Sequence, residues 1–289
     1  MEMKSFFANN WLLLLIGLIA LICIAFVAGK IQMNRQISRE VALIMGTGEE
    51  NTRNESAYIE KEDLEHLPEP VQKWLEIVGV VGQERIQTAV FSQRGKMRLS
   101  PEQENWMEPE AKQFVRVDRP SYLWHVDLPM IPFINTKGRD LFHNGQGSMQ
   151  IRIGSLIPVV NAHSNEKLDE SSLHRFLLEL PWYPTAALED YMSWEKTNDH
   201  QAKGILSYEG ITVEALFFFS SNGDLEKMES MRYKDNDEKA ERIPCIGEIK
   251  GSTEVDGMRI PHQIDVTWLI DGEPFTWYKL QNENIRFNQ

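Results

Sequence analysis

The chain has 289 residues, a formal net charge of −13 and only two cysteines. A surface this acidic repels phosphate backbones, which argues against a nucleic-acid partner. Cys23 lies in a hydrophobic run, so Cys245 has no partner in the remainder and no disulfide framework is expected.

Trp11–Gly29 carries no charge over nineteen residues. At the helical rise it would span about 28 Å, close to the thickness of a bilayer core. The expectation is an uncleaved single-pass anchor over residues 1–29, since the apolar core of a cleaved leader is shorter. Lys30, Arg35 and Arg39 follow the span and Lys4 precedes it, a positive-inside bias toward a cytoplasmic domain. Ile37, Val41 and Ile44 continue a helical spacing up to Gly46. That spacing predicts a juxtamembrane helix whose basic residues meet lipid headgroups. The charge-rich stretch from Gly46 to His66 reads as a solvated linker, so residues 30–66 join the anchor to a domain over 67–289. Behind Pro70, the residues Val71, Trp74, Leu75 and Val78 form a short amphipathic helix.

Most of the remainder reads as β-hairpins. Asn144-Gly145, Glu209-Gly210, Asn222-Gly223, Asp256-Gly257 and Asp271-Gly272 suit the positive φ angles of tight turns. Between them the residues alternate. Ile264, Val266, Trp268 and Ile270 share one face of a strand, and Ile211, Val213, Ala215, Phe217 and Phe219 share one face of another. The fold class expected is mainly β: a curved antiparallel sheet, half-barrel or barrel, because strand twist accumulates over so many hairpins. Met97, Met149, Met228, Met231 and Met258 lie along these strands, where soft side chains suit an adaptable apolar surface.

One helix interrupts the hairpins. Leu173, Phe176, Leu177 and Leu180 take the i, i+3, i+4, i+7 spacing of an apolar helix face. Asp169 or Ser171 could cap its start, Pro181 ends it, and Pro184 opens a second short helix. Arg175 and Glu179 are four apart and can pair on the helix surface; alternatively Arg175 reaches into a hollow and meets an acidic headgroup or a backbone carbonyl. Gly145-Gln146-Gly147 lacks the third glycine of a dinucleotide loop and reads as a turn. His125, Asp127, Asp140 and His143 could hold a divalent metal only if their strands converge.

Several residues together carry a family resemblance: Leu67-Pro68 with Val71 and Trp74, Gln93-Arg94-Gly95, Trp106, Trp124, Gly145-Gln146-Gly147, Trp194 and the Gly257–Pro261 pair. The most specific part is Arg175 and Glu179 followed by Trp182-Tyr183-Pro184. Over about residues 65–287 the chain resembles an uncharacterised bacterial family of membrane-anchored proteins, a domain of unknown function with no established activity. The hairpins around one helical insert are also similar to the half-barrels of LolA-type lipoprotein carriers. That likeness implies a lipid ligand and an extracytoplasmic domain, and it is preferred here over the charge count.

The reading is therefore a non-enzymatic, membrane-tethered β domain holding a lipid or another apolar molecule. Leu173, Arg175, Phe176, Leu177, Glu179, Leu180 and Trp182 are the expected ligand-binding residues, and no cofactor is expected. One alternative is a protein-interaction or sensor module with a filled core and exposed Trp182 and Tyr183 as anchors, its partner unknown. A third is a metal-dependent hydrolase built on His125, Asp127, Asp140 and His143.

Overall fold

The computed structural model describes residues 2–46, 58–131 and 134–289, without the side chains of 2–10, 12 and 130–135. Among the described residues, thirteen antiparallel strands form one curled sheet, a half-barrel. Six strands precede the central helix: β1 (Thr88–Met97), β2 (Glu110–Arg116), β3 (Ser121–Ile131), β4 (Ile134–His143), β5 (Gln146–Ile153) and β6 (Ile157–Ala162). Seven follow it: β7 (Met192–Asn198), β8 (Gln201–Tyr208), β9 (Ile211–Phe219), β10 (Leu225–Tyr233), β11 (Arg242–Val255), β12 (Met258–Ile270) and β13 (Glu273–Phe287). Their spatial order is 6-5-4-3-2-1-13-12-11-10-9-8-7. The first half thus meanders outward from the centre to one edge. The second begins at the opposite edge and returns, so that β13 pairs with β1.

The turn dipeptides behave as their chemistry demands. Asn144, Glu209, Asp256 and Asp271 all have φ near +50°, each followed by a glycine of positive φ. These are two-residue turns whose twist matches that of the flanking strands.

The helices are α1 (Glu2–Met45), α2 (Glu69–Val78) and α3 (Glu166–Leu178). In α2 the expected residues Val71, Trp74, Leu75 and Val78 are all buried, Pro70 stands in the first turn, and Gly79 at φ +87° ends the helix. The left-handed conformation there carries no Cβ penalty for glycine. Gly79 abuts the Gly257 carbonyl, so α2 sits at the end of the half-barrel marked by the β11–β12 turn. Helix α3 lies between the two edge strands in sequence and packs on β9, β10 and β5. It lies across one face of the sheet and buries apolar side chains of interior strands that are already paired on both sides.

Helix α1 is unbroken, and from Leu13 to Val27 its large apolar side chains are exposed except Phe26, which is half-buried. By length and composition it can cross a membrane. Its second part continues as the helix the spacing predicted, with Lys30, Arg35 and Arg39 exposed, but its apolar side packs on the sheet. Met33, Ile37 and Ile44 are buried against Leu123, with Phe114 and Leu141 alongside, on the convex face of the sheet. Arg139 donates Nε and Nη2 to the two oxygens of Glu40 at 2.8 and 2.6 Å. Such a fork is a strong form of ion pair, and here the arginine side chain is only 4% exposed. Glu40→Ala is expected to release α1 from the sheet. Hydrogen exchange should then accelerate over residues 33–45 and stay slow in β12 and β13.

The expected linker is also shorter than its charge suggested. Residues 47–57 lie outside those described, but Ile59 and Leu64 belong to the main core and 61–64 form a 3-10 turn. Two apolar residues among so many charges were enough to anchor that segment, because burial of each is worth about 1.5–3 kcal/mol.

Candidate functional site

The helix that bridges the sheet starts one turn earlier than its apolar spacing suggested. Asn165 is the cap: its side-chain oxygen accepts from the Leu168 amide at 3.0 Å. Asp169 instead accepts from the backbone of Gly147 on β5, and the Ser171 hydroxyl donates to the Tyr233 carbonyl on β10. Both residues tie the helix to the sheet rather than cap it. Gly147 is required by the same contact. A Cβ there would sit 2.6 Å from the Ser172 hydroxyl and 3.0 Å from the Leu168 carbonyl. After Glu179 the chain tightens into two 3-10 turns, Leu180–Trp182 and Pro184–Leu188, the second opened by Pro184 as expected.

Beneath this helix the sheet lines a cavity of about 280 Å³ that is open on one side. One wall is apolar: Ile264, Val266 and Trp268 from β12, Phe275 and Trp277 from β13, and Met228 from β10. The alternation read from the sequence is what puts Ile264, Val266 and Trp268 on the same side. The helix contributes Arg175, Leu178, Glu179 and Trp182. Of the seven expected ligand-binding residues, Arg175, Glu179 and Trp182 therefore line the hollow. Leu173, Phe176, Leu177 and Leu180 do not; they are fully buried in the main core. Their stripe meets side chains rather than empty space, and the hollow opens on the neighbouring helix face. Among the methionines, Met149 and Met228 line the cavity, Met97 and Met258 are buried in the core, and Met231 is exposed.

Arg175 is the polar centre of the site. Its Nε donates to Glu179 at 2.8 Å, Nη1 to Asp140 at 2.9 Å and Nη2 to Gln113 at 3.2 Å. The guanidinium also lies about 5 Å from the ring centres of Tyr122 and Trp124. Burial works against the cation, but Glu179, Tyr122 and Asp140 outweigh it and hold Arg175 charged. Burial lifts the Asp140 carboxyl above its usual range, with Arg175 opposing. Gln113 completes the circuit by donating to Glu179, and beside it Trp124 donates to Gln93, which donates to Asn282. Buried polar groups cost little when they find partners, and here the one group of this circuit left without one is the Asn282 amide nitrogen. Arg175 combines the two alternatives read from the sequence: it pairs with Glu179, and it lines the hollow, where its protein partners are side chains rather than a sheet carbonyl.

The lining is nonetheless basic. Arg98, Arg175, Arg232 and Lys234 face two carboxylates, Asp140 and Glu179. Arg175 is taken up by those two acids and Lys234 pairs with Asp235 at 3.4 Å, so the cationic excess rests on Arg98 and Arg232. Arg98 donates Nε to the Thr276 carbonyl, and Arg232 donates Nε to the Ser171 carbonyl at 2.9 Å. In a chain of net charge −13 this is a local reversal of sign. Gln93, Gln113, Arg98 and Arg232 were not singled out from the sequence for this site, although Gln93 stands in a string that carried the family resemblance. Cys245 also lines the hollow, where burial raises its thiol.

The metal reading fails on geometry. His125 and Asp127 share the convex face of β3, paired in register with Arg139 and Lys137, whereas Asp140 points inward to Arg175. Among the described residues no group of three metal-ligating side chains converges. The proposed anchors of a protein interface are also displaced, because Trp182 is 3% exposed and Tyr183 is fully buried. Trp182 packs edge-on against Phe91 at 5.2 Å, and the Tyr183 hydroxyl donates to the Phe176 carbonyl.

His174, on the same helix, is buried and neutral. Burial pushes its pKa down to about 4 from an ordinary 6.5, and Arg232 acts in the same direction. The unfolded chain takes up that proton first. Stability from His174 is thus complete above pH 6.5 and is lost as pH falls toward 4, by up to about 3 kcal/mol. His125 is shifted alike, so both contribute to acid sensitivity. His174→Gln is expected to flatten the fall in the urea midpoint between pH 6.5 and 4.5, leaving the share of His125.

Fold and site together define a mainly β half-barrel, bridged by a helix over a partly apolar, basic-lined hollow. Its helical string of Arg175, Glu179, Trp182 and Pro184 now has a physical account in the ion pair, the cavity wall and the second 3-10 turn. The chain belongs to a family of unknown function, DUF6920, whose model matches residues 65–287. Among curated proteins none matches this chain.

Proposed function

We propose that this protein is a membrane-tethered, non-enzymatic holder of a lipid or another apolar molecule, bound in the cavity beneath α3. The cavity itself carries the reading. At about 280 Å³ it is near the lower bound of ligand pockets, which begin at about 300 Å³, and such pockets combine apolar walls with a few placed polar groups. Its tryptophans, Met228, Ile264 and Val266 suit an aliphatic chain. Arg98 and Arg232 suit an anionic or oxygen-rich head at the end of that chain. The resemblance of hairpins around one helical insert to LolA-type carriers, read from the sequence, would imply the same ligand class.

The tether is α1. A cleaved leader would be separate from the domain it precedes, whereas this helix runs without a break into residues that pack on the sheet. Holding the mouth near lipid raises the local ligand concentration. The same likeness supports an extracytoplasmic domain, against the basic residues that follow the span; digestion of intact cells by an external protease decides between the two sides.

Native mass spectrometry of the full chain from mild detergent tests the ligand. Adducts of lipid mass that survive mild activation are the expected result. A chain that stays bare when purified from its own membranes, and when mixed with fatty acids or phospholipids, overturns the proposal.

A further inference from the structure

The β5–β6 turn beside α1 lines no part of the cavity beneath α3. The β5–β6 turn lies against the last uncharged turn of that helix. Gly154, at φ +60°, is so close to the Phe26 ring that a Cβ would sit 2.1 Å from it. Gly29 is equally tight against Ser155 and Leu156, where a Cβ would lie 3.1 Å from the Ser155 carbonyl oxygen. Lys30 is the first charged residue after the span. Phe26 and Gly29 therefore mark the level at which a crossing helix leaves the hydrocarbon. The turn is held at that level, because Met33, Ile37, Ile44 and the Glu40–Arg139 pair fix the following part of α1 to the sheet.

At this point the chain exposes side chains that suit lipid. Leu156 is 37% exposed, Ile157 53% and Val159 59%. We propose that Leu156, Ile157 and Val159 form a second membrane contact, entering the lipid interface beside the end of the α1 span. The proposal rests on the reading of α1 as a membrane anchor. Strand β6 is an edge strand, and a further strand from a second copy could in principle add to it. Pro158 stands between the exposed residues and offers no backbone N–H, which interrupts such pairing and leaves the lipid surface as the occupant.

The register gives this contact a purpose. Ile157 pairs with Ile153, Thr136 with Ile153, Thr136 with Leu128, and the series continues to Met97 with Tyr278 and Ile270 with Glu273. The start of β6 thus belongs to the same end of the sheet as the last residues of β1, β10 and β12. Cavity residues Arg98, Leu99 and Lys234 lie just beyond β1 and β10 at that end, and Leu99 is exposed. An interface contact at β6 turns this end of the half-barrel toward the bilayer, so an acyl chain reaches the cavity without crossing open water.

The test uses the full chain with Cys23→Ser and Cys245→Ala, which removes both native thiols, reconstituted in phosphatidylcholine–phosphatidylglycerol vesicles carrying nitroxide-labelled lipid. A fluorescent thiol label is placed singly at Ile157→Cys, Val159→Cys, Leu18→Cys within the span, and Glu254→Cys at the opposite end of the sheet. Strong quenching at 18, 157 and 159 with little at 254 is the expected result. Quenching at 18 without quenching at 157 and 159 overturns the second contact and leaves the anchor intact. Labels at 157 and 159 shielded from water but not quenched by lipid point to a second copy and likewise overturn it. No quenching at 18 removes both readings. Positions 157 and 159 are exposed, so neither label disturbs the core.

Discussion

Arg175→Ala is expected to destabilise the domain by about 3 kcal/mol, at the lower end of the cost of breaking a buried ion pair because the group is partly open to the cavity. The loss of attraction is the smaller part of the effect. Asp140 and Glu179 would remain close together in a poorly solvated place, with Gln113 short of one partner. Two neighbouring carboxylates without a cation favour taking up a proton. The deficit relative to the unmodified chain should therefore shrink as the pH falls through the carboxylate range. Arg175→Lys keeps the charge but cannot serve Glu179, Asp140 and Gln113 with one planar fork, so it should recover only part of the loss. Urea unfolding at pH 7 and pH 4.5 checks both points: a lower midpoint with an unchanged slope reports stability alone. An unchanged midpoint in Arg175→Ala would mean that the polar circuit contributes nothing to holding the helix on the sheet.

Val266→Phe should separate binding from folding. Val266 lines the cavity and stands directly across from Gly247 on β11, so a larger side chain has room on its neighbouring strand and extends into the hollow. Filling an empty apolar space adds contacts, and the variant should melt at or above the temperature of the unmodified chain. Lipid adducts, or the signal of an apolar dye, should fall at least about tenfold, equivalent to about 1.4 kcal/mol. If Val266→Phe folds and still carries the adduct, the ligand lies somewhere other than this cavity.

The parts of this molecule that could be read before its structure are those governed by local chemistry. Asp256-Gly257 and its counterparts announce tight turns because few other residues accept positive φ. The alternation of Ile264, Val266 and Trp268 announces a strand with one protected face. The spacing of Leu173, Phe176, Leu177 and Leu180 announces a helix with a buried stripe, and the stripe is buried. What the stripe would meet was not legible. Periodicity identifies an apolar face, and a packed core satisfies that face as well as a hollow does. The hollow fell instead to Leu178 and Trp182, which flank the stripe. The docking of α1 was hidden for a related reason: Met33, Ile37 and Ile44 have the same spacing whether they face lipid or protein, and their true partner, Leu123, lies far along the chain.

The sequence alone determined the curled antiparallel sheet, the single bridging helix, the apolar N-terminal span and the family. Each follows from interactions between residues a few positions apart, or from runs of composition. Only the tertiary structure decided that β13 closes on β1, that Arg175 is shared among Asp140, Glu179 and Gln113, and that a basic-lined hollow survives beneath the helix. Those features depend on contacts between distant segments. They depend equally on how completely side chains fill the space between them, a property of volume that no pattern along the chain expresses.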